Sequence, residues 1–151
     1  MYLLHGEHDA TKENLFDRGD RIYLFFLVIL NGYCAEKWIS FANSEKGDEY
    51  YYDEASLKQV AKRVFQVWRM KKLSTISKGD YGKRGKKYNS LNSVHTLLEL
   101  DCKGKTIKSL SLVYYDYNGN IIERYDNPDS GRRLTRPASI SALLLDTVCS
   151  K

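Results

Sequence analysis

The sequence predicts an α+β domain, built mainly from antiparallel strands with one C-terminal helix packed on their sheet. The stretches 94–101 and 106–115 alternate apolar and polar residues with the period of two that a half-buried strand requires. Asn118 and Gly119 follow the second stretch, and this pair favours a tight hairpin because both residues tolerate positive φ. Residues 140–148 instead place their apolar side chains at helical spacing. These patterns predict a strand meander that ends in a helix.

The first part of the domain also contains strand signals. Residues 37–42 alternate like an edge strand, and residues 49–53 hold three consecutive tyrosines, a residue type that favours strands. Gly47 and Asp48 lie between the two stretches and are typical of a turn. We therefore expect two short neighbouring strands ahead of the meander.

The stretch 57–73 is ambiguous between helix and strand. Ser56 could cap a helix, whereas residues 63–68 are rich in the β-branched and aromatic residues that favour a strand. Spacing alone slightly favours the helix, through Leu57, Val60, Ala61, Val64 and Trp68.

An apolar run at 22–30 predicts export. It follows Arg18 and Arg21 and is far shorter than the roughly 20 residues that a membrane-spanning helix needs. Five acidic residues precede it, which suits a true start downstream of Met1. We assign residues 1–35 to an N-terminal lead and secretory signal, and residues 36–151 to a single exported domain with no transmembrane span.

Removing this segment would change the net charge of the protein and the set of cysteines that remain. The net charge would rise from +5 to +7, because five acidic and three basic residues are lost. Cys34 follows Tyr33, which is larger than the residue that precedes a lipid-modified cysteine, so we predict no lipid anchor. Cys102 and Cys149 remain and are expected to form a disulfide in an exported domain, the alternative being two buried free thiols.

The order and spacing of several short motifs resemble the surface-adhesin protein E family of small exported bacterial domains. The resemblance spans 38–149 and is carried by Val67-Trp68, 98–102, 110–112, 115–119 and Val148-Cys149. It implies a six-stranded antiparallel sheet with a helix packed on it, and a strand rather than a helix at 64–70. It also implies a location in the periplasm or on the surface of a Gram-negative bacterium, and a role in binding host or envelope proteins.

Other motifs do not support a chemical function. An Arg-Gly-Asp tripeptide at 18–20 and a His-rich cluster at 5–9 lie in the predicted signal segment. Gly-Lys-Thr at 104–106 lacks the upstream glycine of a phosphate-binding loop, since that position is Glu99. The acidic turn at 116–120 places its glycine fourth rather than sixth, unlike a calcium loop.

His95 is the one histidine of the predicted domain, so we expect no metal site, no nucleophile–base pair and no cofactor. Glu99 and Asp101 lie on the same strand face and are expected to form a solvent-facing polar strip with it. We therefore predict a domain that is not an enzyme and has no small-molecule substrate.

The stretch 71–88 is predicted to be an exposed loop, because it is basic, contains three glycines and lacks apolar periodicity. Its cations and tyrosines could bind a protein or a polyanion, and the alternative is a solvated loop. Nucleic acid is not an expected partner. The candidate binding residues of this loop are Lys78, Tyr81, Lys83, Arg84, Lys86, Lys87 and Tyr88.

A second hypothesis for the domain is a periplasmic structural or assembly factor that docks through a sheet edge.

Overall fold

A computed structural model describes residues 35–128 and 131–151 of the protein, and the predicted signal at 1–35 lies outside these residues apart from Ala35. The described part has the predicted α+β class, with a mainly antiparallel sheet and a C-terminal helix. None of its helices is long and apolar enough to cross a membrane. The strands are β1 (Trp38–Asn43), β2 (Glu49–Asp53), β3 (Lys58–Ala61), β4 (Val64–Lys72), β5 (Leu91–Asp101), β6 (Thr106–Asp116), β7 (Ile121–Asp126) and β8 (Arg133–Leu134). The helices are α1 (Thr75–Gly82) and α2 (Ile140–Cys149).

The six longer strands form one path in the order β1-β2-β4-β5-β6-β7, which agrees with the six-stranded sheet that the resemblance implied. Two short strands extend it to eight. β3 pairs with the part of β4 that does not pair with β2. In the same way, β8 pairs with the part of β6 that does not pair with β7. Each pairing is antiparallel.

The helical interpretation of 57–73 is wrong, and the strand implied by the resemblance is confirmed. The chain forms β3, turns at Arg63 with a φ of 60°, and returns as β4. β4 pairs with β5 along its whole length, and its Val67 is completely buried. Ser56, predicted to cap a helix, instead accepts a hydrogen bond from the Trp68 backbone N–H at 3.0 Å. Cross-strand pairing therefore outweighs helical spacing here.

The exposed loop predicted for 71–88 is also wrong, because most of this stretch is ordered secondary structure. β4 continues to Lys72, α1 follows, and a single 3-10 turn occupies Lys86–Tyr88. Ser74 caps α1 by accepting a hydrogen bond from the Ser77 backbone N–H. The fold thus has a second α-helix that the sequence patterns did not predict.

Two apolar clusters hold the helices on the sheet. Under α2, Leu144 and Val148 pack with Val67, Leu98 and Leu100, and all five are buried. The second cluster, near α1 and the 3-10 turn, centres on Leu73, Leu91 and Val94. The buried face predicted for β5 is therefore confirmed.

The alternation predicted for β6 holds only in part, because the register with β5 shifts where Leu97 and Leu98 oppose Ser111 and Ser109. Before the shift Ile107 lies opposite Leu100, and after it Leu112 lies opposite Thr96. This β-bulge inserts one extra residue into β6. After the bulge the even-numbered residues of β6 therefore lie on the sheet face that its odd-numbered residues occupy before the bulge.

Cys102 and Cys149 form a disulfide in the structure, with their Cα atoms 5.7 Å apart. Cys102 directly follows β5, and Cys149 is the last residue of α2. The bridge therefore joins the end of the helix covalently to the end of a central strand.

Candidate interaction site

The basic segment, residues 78–88, has four exposed cations. Lys83 and Arg84 directly follow α1, and Lys86 and Lys87 lie in the 3-10 turn, so ordered backbone positions them. Lys78 is half-buried, with its ammonium group 4.6 Å from the centre of the Tyr117 ring. The exposed members are Lys83, Arg84, Lys86 and Lys87.

The two tyrosines of the basic segment are half-buried, which corrects the expectation that they are exposed. Their rings lie 6.1 Å (Tyr81) and 5.7 Å (Tyr88) from the ring of Tyr114 on β6. The Tyr88 hydroxyl also donates a hydrogen bond to Glu123 on β7. These tyrosines therefore anchor the basic segment to the sheet, and its cations are the groups left facing solvent.

Neighbouring acids neutralise part of this charge. Lys83 Nζ lies 3.1 Å from Asp80, and Lys87 Nζ lies 2.8 Å from Glu123. Hydrogen bonds from Lys87, Tyr125 and Tyr88 lower the pKa of Glu123 to about 2, so it stays ionised at neutral pH. Arg84 lies over the Tyr81 ring at 4.7 Å. The segment thus combines ion-paired lysines with an arginine stacked on an aromatic ring.

A groove of about 780 Å³ opens beside the basic segment. Tyr81 and Arg84 line it from the segment, Leu143 from α2, and Lys46 from the turn between β1 and β2. Glu45, Asp48 and Asp80 line the same groove, so its charge is mixed rather than uniformly basic.

Asp48 ties the start of α1 to the β1–β2 turn. It is 2% exposed and accepts hydrogen bonds from the Ser74 backbone N–H at 2.9 Å and the Ser77 hydroxyl at 2.8 Å. Lys71 Nζ forms an ion pair with the same carboxylate at 2.8 Å. The β1–β2 turn therefore meets the end of β4 and the start of α1, both distant from it in sequence, at one buried carboxylate.

The stability of the domain should depend on the ionisation of Asp48. Burial alone would raise the pKa of Asp48, but hydrogen bonds from Lys71, Ser74 and Ser77 lower it from 3.8 to about 2. Because the folded-state pKa is the lower one, the contribution is present above about pH 5 and lost as the pH falls towards 2. We expect it to be about 2 kcal/mol. Urea unfolding between pH 6 and pH 2 should show a smaller acid-induced loss for Asp48→Asn than for the wild type, and equal losses would contradict this.

The polar strip predicted on β5 is not a uniform solvent-facing feature. His95 is half-buried, with its ring 5.2 Å from that of Trp38 and 4.5 Å from that of Tyr115, and burial lowers its pKa. Glu99 is paired with Arg132 and accepts a hydrogen bond from Gln66. Among the described residues no group of three or more His, Cys, Asp or Glu side chains could hold a metal ion.

A family model for surface-adhesin protein E matches residues 38–150. The chain belongs to the surface-adhesin protein E family. Crystal form II of Haemophilus influenzae protein E is 14% identical with a TM-score of 0.48, covering 75% of this chain and 87% of that one. Protein E from non-typeable Haemophilus influenzae is 12% identical with the same TM-score, covering 75% of each chain. No curated protein matches the chain.

Within this adhesin-family domain, sequence patterns located the basic segment but missed what positions it. Asp48 was recognised only as a turn residue, and its partners Ser74 and Ser77 lie 26 and 29 residues further along the chain. A single aspartate at that separation carries no local signal.

Proposed function

We propose that the protein is an exported interaction domain without enzymatic activity, which binds acidic host or envelope proteins or polyanions through the basic segment. The observation that carries this proposal is the set of four exposed cations on a backbone anchored by Tyr81, Tyr88 and Asp48. A fixed array of cations costs less conformational entropy to bind than a flexible loop does. Membership of an adhesin family supports a protein partner.

Removing the four exposed cations should weaken polyanion binding strongly. We expect the alanine variant of Lys83, Arg84, Lys86 and Lys87 to bind heparin at least about tenfold more weakly than the wild type, because each lost ion contact also loses its counter-ion release. The dependence of affinity on salt concentration should flatten as well. Salt-titrated heparin binding by residues 36–151 measures both effects.

A charge-matched variant separates a specific surface from net charge. Replacing Lys58, Lys62, Lys103 and Arg124 by alanine also removes three lysines and one arginine, all exposed and outside the basic segment. Arg124 is paired with Asp126, as Lys83 is with Asp80. This variant should keep near wild-type affinity, and an equal loss in both variants would refute the basic segment as the binding surface.

The outer edge of β7 favours a second candidate, a periplasmic structural or assembly factor. In the described part of the chain no strand pairs with that edge, and Ile121 and Tyr125 on it are 55% and 43% exposed. An extended segment of an envelope protein could add to such an edge. Protease treatment of intact cells distinguishes the two, because it removes a surface adhesin and spares a periplasmic factor.

A further inference from the structure

A second cleft, of about 410 Å³, lies on the sheet face beside the start of α2. Its lining includes Arg69 on β4 and Ser109 on β6. The segment 133–136 and two serines at the start of α2, Ser139 and Ser141, complete the lining. The cleft is therefore rich in hydrogen-bond donors, and it does not involve the basic segment.

Among the described residues, no acidic side chain forms an ion pair with Arg69. Its Nε atom is fully buried and has no hydrogen-bond partner among the described residues. Its other contacts are weak, with Nη2 3.4 Å from the Thr96 hydroxyl and the guanidinium 5.9 Å from the Tyr50 ring. Burial lowers the pKa of Arg69. An unsatisfied donor on a buried guanidinium is costly, and packing alone gives no reason to retain it.

The start of α2 adds further attraction for an anion. Ser139 caps the helix by accepting a hydrogen bond from the Ala142 N–H at 3.2 Å. Ser141, which lines the cleft, has its amide in the first turn, where helix geometry supplies no intrahelical acceptor and the helix dipole favours negative charge. Arg136, which is exposed, places a second guanidinium on the lining of the same cleft.

We propose that this cleft is a binding site for a sulfate or phosphate group, with the half-buried Arg69 as its counter-charge. A tetrahedral oxoanion has four oxygens, and the donors that line this cleft include Arg69, Arg136 and the first turn of α2 at Ser141. Arginine suits this task because its planar donors match phosphate and sulfate geometry. The site is independent of the polyanion surface proposed above.

The proposal is tested with inorganic phosphate and inorganic sulfate, titrated into residues 36–151 against chloride at constant ionic strength. NMR should show saturable shifts of the Arg69 guanidinium N–H signals and of the Ser141 amide. Arg69→Met should weaken binding at least about tenfold, since it removes a charge-assisted pair. The variant should remain folded in chloride, because it also removes a buried unpaired donor. Arg124→Met, an exposed position on β7, is the matched control and should bind like the wild type.

Two further arms define the ligand. Titrations with glycerophosphate and with a monosulfated sugar show whether the cleft binds a phosphate ester or a sulfate ester. If the wild type binds either ester and Arg69→Met does not, the result supports the site. Shifts that do not saturate, or an affinity unchanged in Arg69→Met, would overturn it. The alanine variant of the basic segment should keep the phosphate response, so failure of one proposal is distinguishable from failure of the other.

Discussion

Replacing Cys102 and Cys149 by serine is expected to lower the free energy of unfolding by about 4 kcal/mol. The two residues are 47 positions apart, so the bridge closes a long loop that contains β6, β7, β8 and α2. Its main effect is to reduce the conformational entropy of the unfolded chain, and that effect grows with loop length. Urea unfolding of the oxidised wild type and of the double variant measures the difference.

Reduced wild-type protein is the matched control for this experiment. A thiol and a serine hydroxyl are close in size, so reduction should bring the wild type to the stability of the double variant. Hydrogen exchange should also become faster at Leu144 and Leu145 in α2, because the helix is then held by packing alone. A loss below about 1 kcal/mol would contradict a stabilising role for the bridge.

Asp48→Ala is expected to lower the free energy of unfolding by about 3 kcal/mol, because breaking a buried ion pair leaves its partner uncompensated. The substitution removes the acceptor of Ser74, Ser77 and Lys71, and the Lys71 side chain is only 23% exposed. Asp48→Asn keeps the shape and one acceptor oxygen, so its loss should be smaller. Chemical denaturation of the three proteins gives these values.

Asp80 supplies the exposed comparison. Its side chain is 44% exposed and pairs with Lys46 and Lys83. Because exposed ion pairs contribute little, Asp80→Ala should cost below about 1 kcal/mol. If Asp48→Ala costs no more than Asp80→Ala, the buried carboxylate does not hold α1 in place. Faster amide exchange confined to α1 would show that the loss begins at this helix.

The link between Asp48 and the basic segment connects stability to the proposed function. α1 carries the first part of the segment, and its start is held through Ser74 and Ser77. Loosening that start would let the exposed cations spread over more conformations and raise the entropy cost of binding. Asp48→Ala should therefore also weaken heparin binding, although it leaves every cation in place.

Local pattern was sufficient where one face of an element is buried along its length. The alternation at 94–101 predicted the buried side of β5, and the Asn118-Gly119 pair predicted the hairpin into β7. Helical spacing at 140–148, with Ser139 before it, predicted α2. In each case the period of the apolar side chains indicates which face of the element is buried, irrespective of which element packs on that face.

The sequence predicted which residues make up the candidate site, but it did not predict the secondary structure that carries them. The density of lysines and arginines at 78–88 located the cations, and four of them are exposed as a charged surface requires. The same glycines and charges suggested a loop, because the contacts that order this stretch come from Tyr114, Glu123 and Asp48, all far away in sequence. Long-range contacts of that kind have no local periodicity.

Residue patterns alone predict the meander, the terminal helix, the partners available to the cysteines and the position of the basic charge. Side-chain spacing at 64–72 favours a helix, whereas the family resemblance implied the strand that pairing with β5 stabilises in the structure. The contacts that let Tyr81 and Tyr88 anchor the basic segment, and that place Arg69 in the lining of a donor-rich cleft, arise only on folding. The physical reason is the same throughout: periodicity records which face of an element is buried, whereas a single charged or aromatic residue acquires its role from neighbours that folding supplies.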